Sequence, residues 1–279
     1  METNKNIKFF GSYQVEAKLA EGAFSEVLRV SLNHQNFALK KLRPHLQFDY
    51  EYTALLETEA LLLSKIKDSE HFPLFYEKGK EQTEHYLIIE LIEGLNLEKI
   101  IEKSFKKNLP ASVATGTKIA LEICKGLENL QKLNLFPQQA TVHGDLRASN
   151  VMLSEDGKIK MIDLGLKGGT FDYMPLERLH DQVISAYTDI YALGHILYEI
   201  FHGQRLFKGK SKLESYMEMR DLKVDESIFK NSLPLKLKKI LVRCLNQEEK
   251  IHYTRLEELH QDLENLTQDE ACDLQSLKA

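Results

Sequence analysis

One stretch decides the fold: Thr141-Val-His-Gly-Asp-Leu-Arg-Ala-Ser-Asn-Val-Met-Leu153, continued by Lys158-Ile-Lys-Met-Ile-Asp-Leu-Gly165. Val151–Leu153 and Ile159–Ile162 are short apolar runs, and the polar turn Glu155–Gly157 separates them. Two apolar runs of this length joined by a turn that contains glycine predict a β-hairpin.

Three polar side chains flank this predicted hairpin: Asp145, Asn150 and Asp163. The hairpin brings them together, and carboxylates at close range repel one another unless a cation lies between them. Carboxylate and amide oxygens are the hard ligands that suit Mg²⁺. The stretch therefore predicts a magnesium site of the kind that phosphoryl transfer requires.

Composition sets wide limits on the function. The chain has 279 residues, 43% of them hydrophobic and 28% charged, which is ordinary for a globular protein. Its net charge of −5 argues against a nucleic-acid partner. The three cysteines, Cys124, Cys244 and Cys272, have neither metal-binding nor disulfide spacing. Without an apolar leader or a membrane segment, the chain is predicted to be cytoplasmic.

The order of predicted elements indicates a small β-rich lobe followed by a larger helical one. Hydrophobic periodicity predicts strands over 13–19, 26–32, 36–42, 74–78 and 86–91, and a helix over 48–66. The helices predicted after Leu95 cover 97–105, 113–133, 189–201, 213–219, 233–245 and 254–266. The turn Ala20–Val27 joins the first two strands, and its small residues would let backbone N–H groups approach phosphate oxygens. An ordinary hairpin turn is the alternative there.

Taken in order, these motifs resemble the catalytic domain of eukaryotic-type protein kinases. The similar segments are Ala20–Val27 (the Gly-rich loop), Phe37–Lys40 (the third-strand lysine), Glu59 with Glu57 as second choice (the αC glutamate), Glu90–Gly94 (the hinge), His143–Asn150 (the catalytic loop), Asp163–Gly165 (the magnesium motif), Gly169–Glu177 and Thr188–Gly194. Many motifs at suitable intervals are more specific than any one of them.

The resemblance implies an α+β class and a bilobal protein kinase-like fold. A single kinase domain would cover residues 1–279. Residues 1–91 would form an N-lobe with an antiparallel β-sheet and helix αC, and 92–266 a mainly α-helical C-lobe. A flexible tail would cover 267–279. The implied partners are ATP, Mg²⁺ and a protein substrate, while the oligomeric state stays open.

The same resemblance implies roles for single residues. Lys40, held by Glu59, would bind the α- and β-phosphates of ATP, and Asn150 and Asp163 would bind Mg²⁺. Asp145 would accept the proton of the substrate hydroxyl, with Arg147 near the γ-phosphate. Asp189 would brace the backbone of the catalytic loop. The implied nucleotide-binding residues are Leu19, Ala20, Gly22, Phe24, Ser25, Val27, Ala38, Lys40, Glu59, Ile89, Glu90, Ile92 and Met152.

Two departures from the family pattern concern activation. Ala20 and Ser25 replace loop glycines, and Gly144 replaces the arginine that commonly pairs with a phosphorylated activation-loop residue. The segment from Asp163 to Glu177 is short, and its only hydroxyls are those of Thr170 and Tyr173. We therefore hypothesise that loop phosphorylation does not activate this protein.

Further departures concern the substrate. Met174-Pro-Leu-Glu177 scrambles the family's Ala-Pro-Glu, and His252 stands where the arginine partner of that glutamate is expected. Arg255 is the predicted replacement. Gly169-Thr170 favours transfer to Ser or Thr over Tyr. The alternatives are a pseudokinase that serves as a nucleotide-binding scaffold and a small-molecule phosphotransferase of related fold.

Overall fold

The computed structural model describes residues 8–66, 69–165, 169–209 and 211–276, and their side chains as far as Thr267. Residues 1–7 of the predicted N-lobe lie outside this range. The chain divides into two compact units. Unit 1 comprises Met1–Asp68 and Phe72–Glu93, and unit 2 comprises Ser69–His71 and Gly94–Ala279.

Unit 1 contains a six-stranded antiparallel sheet with the strand order β1-β2-β3-β4-β6-β5. Its elements are β1 (Lys8–Phe10), β2 (Tyr13–Glu21), β3 (Ser25–Leu32), β4 (Gln35–Leu42), a 3₁₀ turn (Pro44–Leu46), α1 (Tyr50–Lys65), β5 (Phe75–Glu81) and β6 (Glu84–Glu90). Asn33 and His34 adopt positive φ angles of 50° and 65° in a tight turn that pairs Leu32 with Gln35. That turn sets the register that places Lys40 opposite Val27.

Unit 2 holds a small sheet and most of the helices. The sheet consists of β7 (Gly94–Asn96), β8 (Val151–Ser154) and β9 (Ile159–Met161) in that order. The α-helices are α2 (Leu97–Lys106), α3 (Val113–Gln131), α4 (Leu176–Asp181), α5 (Ala186–His202), α6 (Lys212–Asp221), α7 (Leu235–Leu245) and α8 (Leu256–Ser276). The 3₁₀ turns are Ala148–Asn150, Phe171–Tyr173 and Glu226–Ile228.

The predicted hairpin after the catalytic loop is confirmed. β8 and β9 pair in antiparallel register, with Leu153 opposite Ile159. Gly157 has a φ of 82°, and its N–H donates to the carbonyl of Ser154 at 2.9 Å, closing the turn. Only a residue without a Cβ adopts this conformation at no steric cost, so glycine fits the turn.

The predicted central helix is also confirmed, as α5, and Tyr187 to Phe201 are all buried within it. Its start is fixed by a capping box formed by Ser185 and Thr188. Gly203, with a φ of 73°, ends the helix. A helix that is apolar on nearly every side is stable only when other elements surround it, and α5 accordingly contacts α3, α7 and α8.

The α+β class and the kinase-like combination of an antiparallel sheet with helices are as predicted. Sequence patterns missed the short strands β1 and β7 and helix α4. Helix α8 extends to Ser276, so it enters the range 267–279 for which a flexible tail is predicted. Among the described residues, no helix combines the length and the apolar character needed to span a bilayer.

Candidate active site

A buried carboxylate on α5 holds the catalytic loop. Asp189 Oδ2 accepts a hydrogen bond from His143 N at 2.7 Å, and Oδ1 accepts one from Gly144 N at 3.0 Å. Burial raises the pKa of Asp189 to about 6, although both backbone hydrogen bonds and the charge of Arg178 oppose that rise. The expectation that Asp189 braces the loop backbone is confirmed.

Asp145, the predicted proton acceptor, lies on this braced loop with its carboxylate partly oriented. Thr170 Oγ1 donates to Oδ1 at 2.8 Å. Asn150 Nδ2 donates to the backbone carbonyl of Asp145 at 2.8 Å and to Oδ2 at 3.2 Å. Burial and the nearby charge of Asp163 raise the pKa of Asp145, against the opposing effects of Thr170 and Arg147. A raised pKa makes this carboxylate a stronger base toward a hydroxyl proton.

The residues predicted to bind Mg²⁺ supply oxygen donors of suitable chemistry. Because the amide nitrogen of Asn150 donates to Asp145, its Oδ1, which accepts a long hydrogen bond from Ser149 Oγ at 3.5 Å, is the atom that would coordinate a cation. Asp163 follows β9 with a φ of 60°, and Ile162 N donates to the carbonyl of Asn150 at 2.9 Å. The structure identifies no cluster of three His, Cys, Asp or Glu side chains for a metal within its described ranges. The amide oxygen of Asn150 and the carboxylate of Asp163 are hard oxygen donors, which suit a cation that takes its other ligands from phosphate and water.

His143 forms hydrogen bonds both to the loop that carries Asp145 and to the segment that carries Asp163. Its Nε2 lies 3.0 Å from the carbonyl of Ile162, and its Nδ1 accepts a hydrogen bond from Asp145 N at 3.3 Å. Its own carbonyl accepts from Gly165 N at 2.9 Å. The segment that carries Asp163 is thus bonded to the loop that carries Asp145.

Arg147, predicted to lie near the γ-phosphate, is on the same loop. Its Nε is 3.6 Å from Asp145 Oδ2, and about a third of its side chain is exposed. A guanidinium in this place contributes positive charge next to the proposed base.

In unit 1, Lys40 and Glu59 form a buried ion pair, with Nζ and Oε2 2.6 Å apart. Lys40 is in the middle of β4, and Glu59 is on the buried face of α1. Glu57, the second choice for this partner, instead pairs with Lys78 at the surface. The first choice of glutamate is therefore the one that contacts the lysine.

The predicted phosphate loop is a closed turn fixed to the chain that leads into α1. Gly22 N donates to the carbonyl of Ser25 at 2.8 Å, and Arg43 N donates to the carbonyl of Phe24 at 2.9 Å. The ring of Phe24 stacks on the ring of Tyr52 of α1, with centroids 4.9 Å apart. The loop is therefore held by its neighbours as well as by its own small residues.

The other predicted nucleotide-binding residues fall into four groups. Val27, Ala38 and Ile89 are on neighbouring strands, where Ala38 pairs directly with Ile89. Glu90 and Ile92 lie at and just after the end of β6, and Glu90 N donates to the carbonyl of Leu74 at 2.9 Å. Leu19 and Ala20 end β2, whereas Met152 belongs to β8 of unit 2.

Comparison with known proteins agrees with these features. A family model described as "Protein kinase domain" matches residues 13–263. The chain belongs to the protein kinase domain family. A probable serine/threonine-protein kinase of Clostridium acetobutylicum is 22% identical to it over 91% of this chain and 40% of that protein. Serine/threonine-protein kinase PknB of Mycolicibacterium smegmatis is 24% identical over 94% of this chain and 44% of that protein. The chain thus spans about two-fifths of the length of the curated relatives that it matches.

One prediction about this kinase domain is wrong. Arg255 does not replace the missing arginine partner of Glu177, because Arg255, which precedes α8, donates through its Nε to Glu258 in the first turn of that helix at 3.1 Å. Glu177 instead accepts a hydrogen bond from Ser185 Oγ at 2.9 Å. His252 is buried, with its ring centroid 3.7 Å from that of Tyr187. A partner three residues away in the chain is reached at lower entropic cost than a distant one.

The sequence also failed to identify Arg178, which is buried beneath the catalytic loop of the kinase domain. Its Nη1 donates to the carbonyl of Gly144 at 2.6 Å. Arg178 is on α4, a helix that was not predicted. A hydrogen bond to a main-chain carbonyl leaves no pattern in a sequence, so no signal was there to find.

Proposed function

We propose that this kinase domain transfers the γ-phosphoryl group of ATP to a Ser or Thr hydroxyl of a protein. The observation that carries the proposal is the set of hydrogen bonds around Asp145. Its loop is braced by Asp189, and its carboxylate is oriented by Thr170 and Asn150 while its pKa is raised by burial. A positioned base with a raised pKa is what removal of a hydroxyl proton requires.

Each unit carries candidate residues of its own. Lys40, held by Glu59, would bind nucleotide phosphates, and Asn150 and Asp163 would bind the magnesium ion that accompanies them. When bound, Mg²⁺ offsets the negative charge of the phosphates. Asp145 orients the acceptor hydroxyl and takes its proton, and Arg147 adds positive charge beside it.

We also propose that the domain is active without phosphorylation of the segment from Asp163 to Glu177. Both of its hydroxyls already have partners: Thr170 donates to Asp145, and Tyr173 donates to Glu199. Tyr173 is only 5% exposed, and burial together with Glu199 raises its pKa. Phosphorylation of Thr170 would remove its hydrogen bond to Asp145, and phosphorylation of Tyr173 would remove its hydrogen bond to Glu199.

The choice of acceptor rests on two supports. Thr170 touches the proposed base, and the similar proteins are described as serine/threonine-protein kinases. Since the chain spans only part of those proteins, transfer to a protein substrate is a proposal for this chain as well. The cytoplasmic location and the lack of a nucleic-acid partner stay predictions from composition.

The test is transfer from γ-labelled ATP in the presence of Mg²⁺. Wild-type protein is compared with Asp145→Asn, which keeps the size of the side chain, and with Asp156→Asn, a matched change in the exposed β8–β9 turn. The acceptors are the protein itself, casein, a Glu-Tyr copolymer and a panel of aminoglycosides and choline. We expect labelled Ser or Thr with wild type and Asp156→Asn, and a loss of at least about 100-fold with Asp145→Asn.

Each other outcome contradicts a stated part of the proposal. Nucleotide binding without transfer to any acceptor would indicate a scaffold, and label on the small molecules alone would indicate a small-molecule phosphotransferase. Labelled tyrosine would overturn the Ser/Thr assignment. Intact-mass analysis of the active protein tests whether the domain is active without phosphorylation of the segment from Asp163 to Glu177. If activity required phosphate on Thr170 or Tyr173, activation without phosphorylation would be wrong.

A further inference from the structure

The guanidinium of Arg178 lies in the interior of unit 2, next to the proposed catalytic loop. The residue is 7% exposed, and its Nη1 donates to the carbonyl of Gly144 at 2.6 Å. That carbonyl belongs to the peptide group whose nitrogen is the backbone N of Asp145. Arg178 therefore holds the peptide bond that leads directly into the proposed base.

Opposite charges surround this buried cation. Burial lowers the pKa of Arg178, and the carboxylates of Asp189 and Asp145 act in the opposite direction. An arginine remains charged in such surroundings because its intrinsic pKa is very high. A buried cation is stable only when carboxylates or hydrogen-bond acceptors compensate its charge, and here both kinds are present.

Two glycines with positive φ angles lie at this arrangement, and one of them makes room for it. Gly144 and Gly169 have positive φ angles of 79° and 66°. A Cβ on Gly169 would lie 2.9 Å from the carbonyl oxygen of Gly144 and 3.2 Å from Nη2 of Arg178. A side chain there would press on both partners of the hydrogen bond. The close approach of Arg178 to the loop therefore depends on a glycine at position 169.

Asp189 and Arg178 hold consecutive peptide groups of the same loop. The N–H groups of His143 and Gly144 donate to Asp189, and the carbonyl of Gly144 accepts from Arg178. Gly144 is the position at which the family pattern has an arginine, so the loop itself lacks that cation. Arg178 brings a cation to the same residue from helix α4.

We propose that Arg178 is a positioning residue, which fixes the Gly144–Asp145 peptide and thereby the orientation of the Asp145 carboxylate. The proposal rests on the proposed function, because it concerns the base of that reaction. It also supplies a physical reason for activity without loop phosphorylation: the cation is compensated by carboxylates of the chain itself, so no phosphate has to order it.

The test compares three variants of the whole chain. Arg178→Met removes the donors but keeps the side-chain length, and Arg178→Lys keeps the charge but not the planar guanidinium. Arg243→Met is the matched control. Arg243 is in the same unit, and its Nη1 lies 2.9 Å from Oδ2 of Asp262, a partner outside the catalytic loop. Phosphoryl transfer from ATP to casein gives kcat and KM for ATP, and amide hydrogen exchange gives the protection of residues 142–150.

We expect Arg178→Met to lower kcat about 10- to 100-fold, with KM for ATP changed less than about threefold, since a misplaced base slows the chemical step. Protection of residues 142–150 should fall in this variant. Arg178→Lys should lie between it and wild type, and Arg243→Met should match wild type in both measurements.

The proposal is overturned if Arg178→Met keeps kcat within about twofold of wild type, or if residues 142–150 keep their full protection. Should Arg178→Met not fold, Arg178→Lys decides: wild-type kcat with wild-type protection overturns the proposal. If the wild-type protein itself transfers no phosphate, the proposed function fails, while hydrogen exchange still tests whether Arg178 holds the loop.

Discussion

Lys40 and Arg178 are both buried cations, one in each unit, and they differ in what they hold. Lys40 contacts a carboxylate directly, with its Nζ 2.6 Å from Glu59 on another element of its unit. Arg178 donates to the main-chain carbonyl of Gly144, with the carboxylates of Asp189 and Asp145 near enough to affect its pKa.

This difference governs what removal of each cation does. Without Lys40, a buried carboxylate is left without its ion-pair partner, which is costly in a region of low dielectric constant. Without Arg178, the carbonyl of Gly144 loses its hydrogen bond, and the loop peptide gains freedom. The first change should act on stability and on activity, whereas the second should act mostly on the rate of the chemical step.

The largest expected effect is that of Lys40→Met. We expect a loss of activity of about 100-fold or more and a decrease in the free energy of unfolding of about 3 kcal/mol, because the buried carboxylate of Glu59 loses the positive charge of Lys40. Chemical denaturation and ATP-dependent transfer measure the two effects. The double variant Lys40→Met, Glu59→Leu should regain much of the stability but none of the activity.

Lys78→Met is the control for that prediction. Lys78 pairs with Glu57 on the surface of the same unit, where each side chain is nearly half exposed. Its removal should change stability by less than about 1 kcal/mol. Equal destabilisation by Lys40→Met and Lys78→Met would show that burial does not distinguish the two pairs.

Asp189→Asn should have the next largest effect, since the two carboxylate oxygens of Asp189 accept the two backbone hydrogen bonds that hold the catalytic loop. An amide accepts through only one oxygen, and its NH₂ group would face a backbone N–H. We expect the free energy of unfolding to fall by about 2 kcal/mol and kcat to fall about tenfold or more. Asp181→Asn, near the end of α4, serves as the control and should change neither value. Unchanged hydrogen exchange in residues 142–150 would contradict this reading of Asp189.

Thr170→Val tests the base itself through the pH dependence of kcat. The hydrogen bond from Thr170 lowers the pKa of Asp145, so its loss should raise that pKa further above the usual range of a carboxyl group. Asp145 would then be protonated over a wider range, and the acidic fall in rate should move to higher pH. Above that range the rate should fall less than about tenfold. If the pH profile of Thr170→Val were unshifted and equal to that of a Thr58→Val control, the hydrogen bond from Thr170 would not influence the pKa of the base.

The residues in these tests also show where sequence reasoning succeeds. Lys40, Glu59 and Asp189 belong to motifs with fixed spacing, and the buried helix α5 follows from its apolar sequence. Arg178 has no such signal, since its partner is a backbone carbonyl 34 positions away in the chain. Strands β1 and β7 have three residues each, too few to establish a period of two.

Tyr52→Ala extends the comparison to a contact without charge. The stack of Tyr52 on Phe24 fixes the predicted phosphate loop to α1, and an aromatic pair of this kind contributes about 1 kcal/mol. We expect KM for ATP to rise about threefold with kcat almost unchanged. Tyr50→Ala, at the start of the same helix and 87% exposed, is the matched control. If both variants raised KM equally, the stack would not be the cause.

Arg255→Ala should have the smallest effect, and it completes the series of cations. Arg255 is a surface residue with 68% of its side chain exposed, and its partner, Glu258, is three positions away on α8. We expect a change in the free energy of unfolding below about 0.5 kcal/mol and no change in kcat. A loss of activity without unfolding would indicate that Arg255 acts as a partner of Glu177 after all.

Because Glu177 accepts a hydrogen bond from Ser185, the variant Ser185→Ala should be more damaging than Arg255→Ala. The consequence of removing a polar partner should thus follow its burial, and not its formal charge alone.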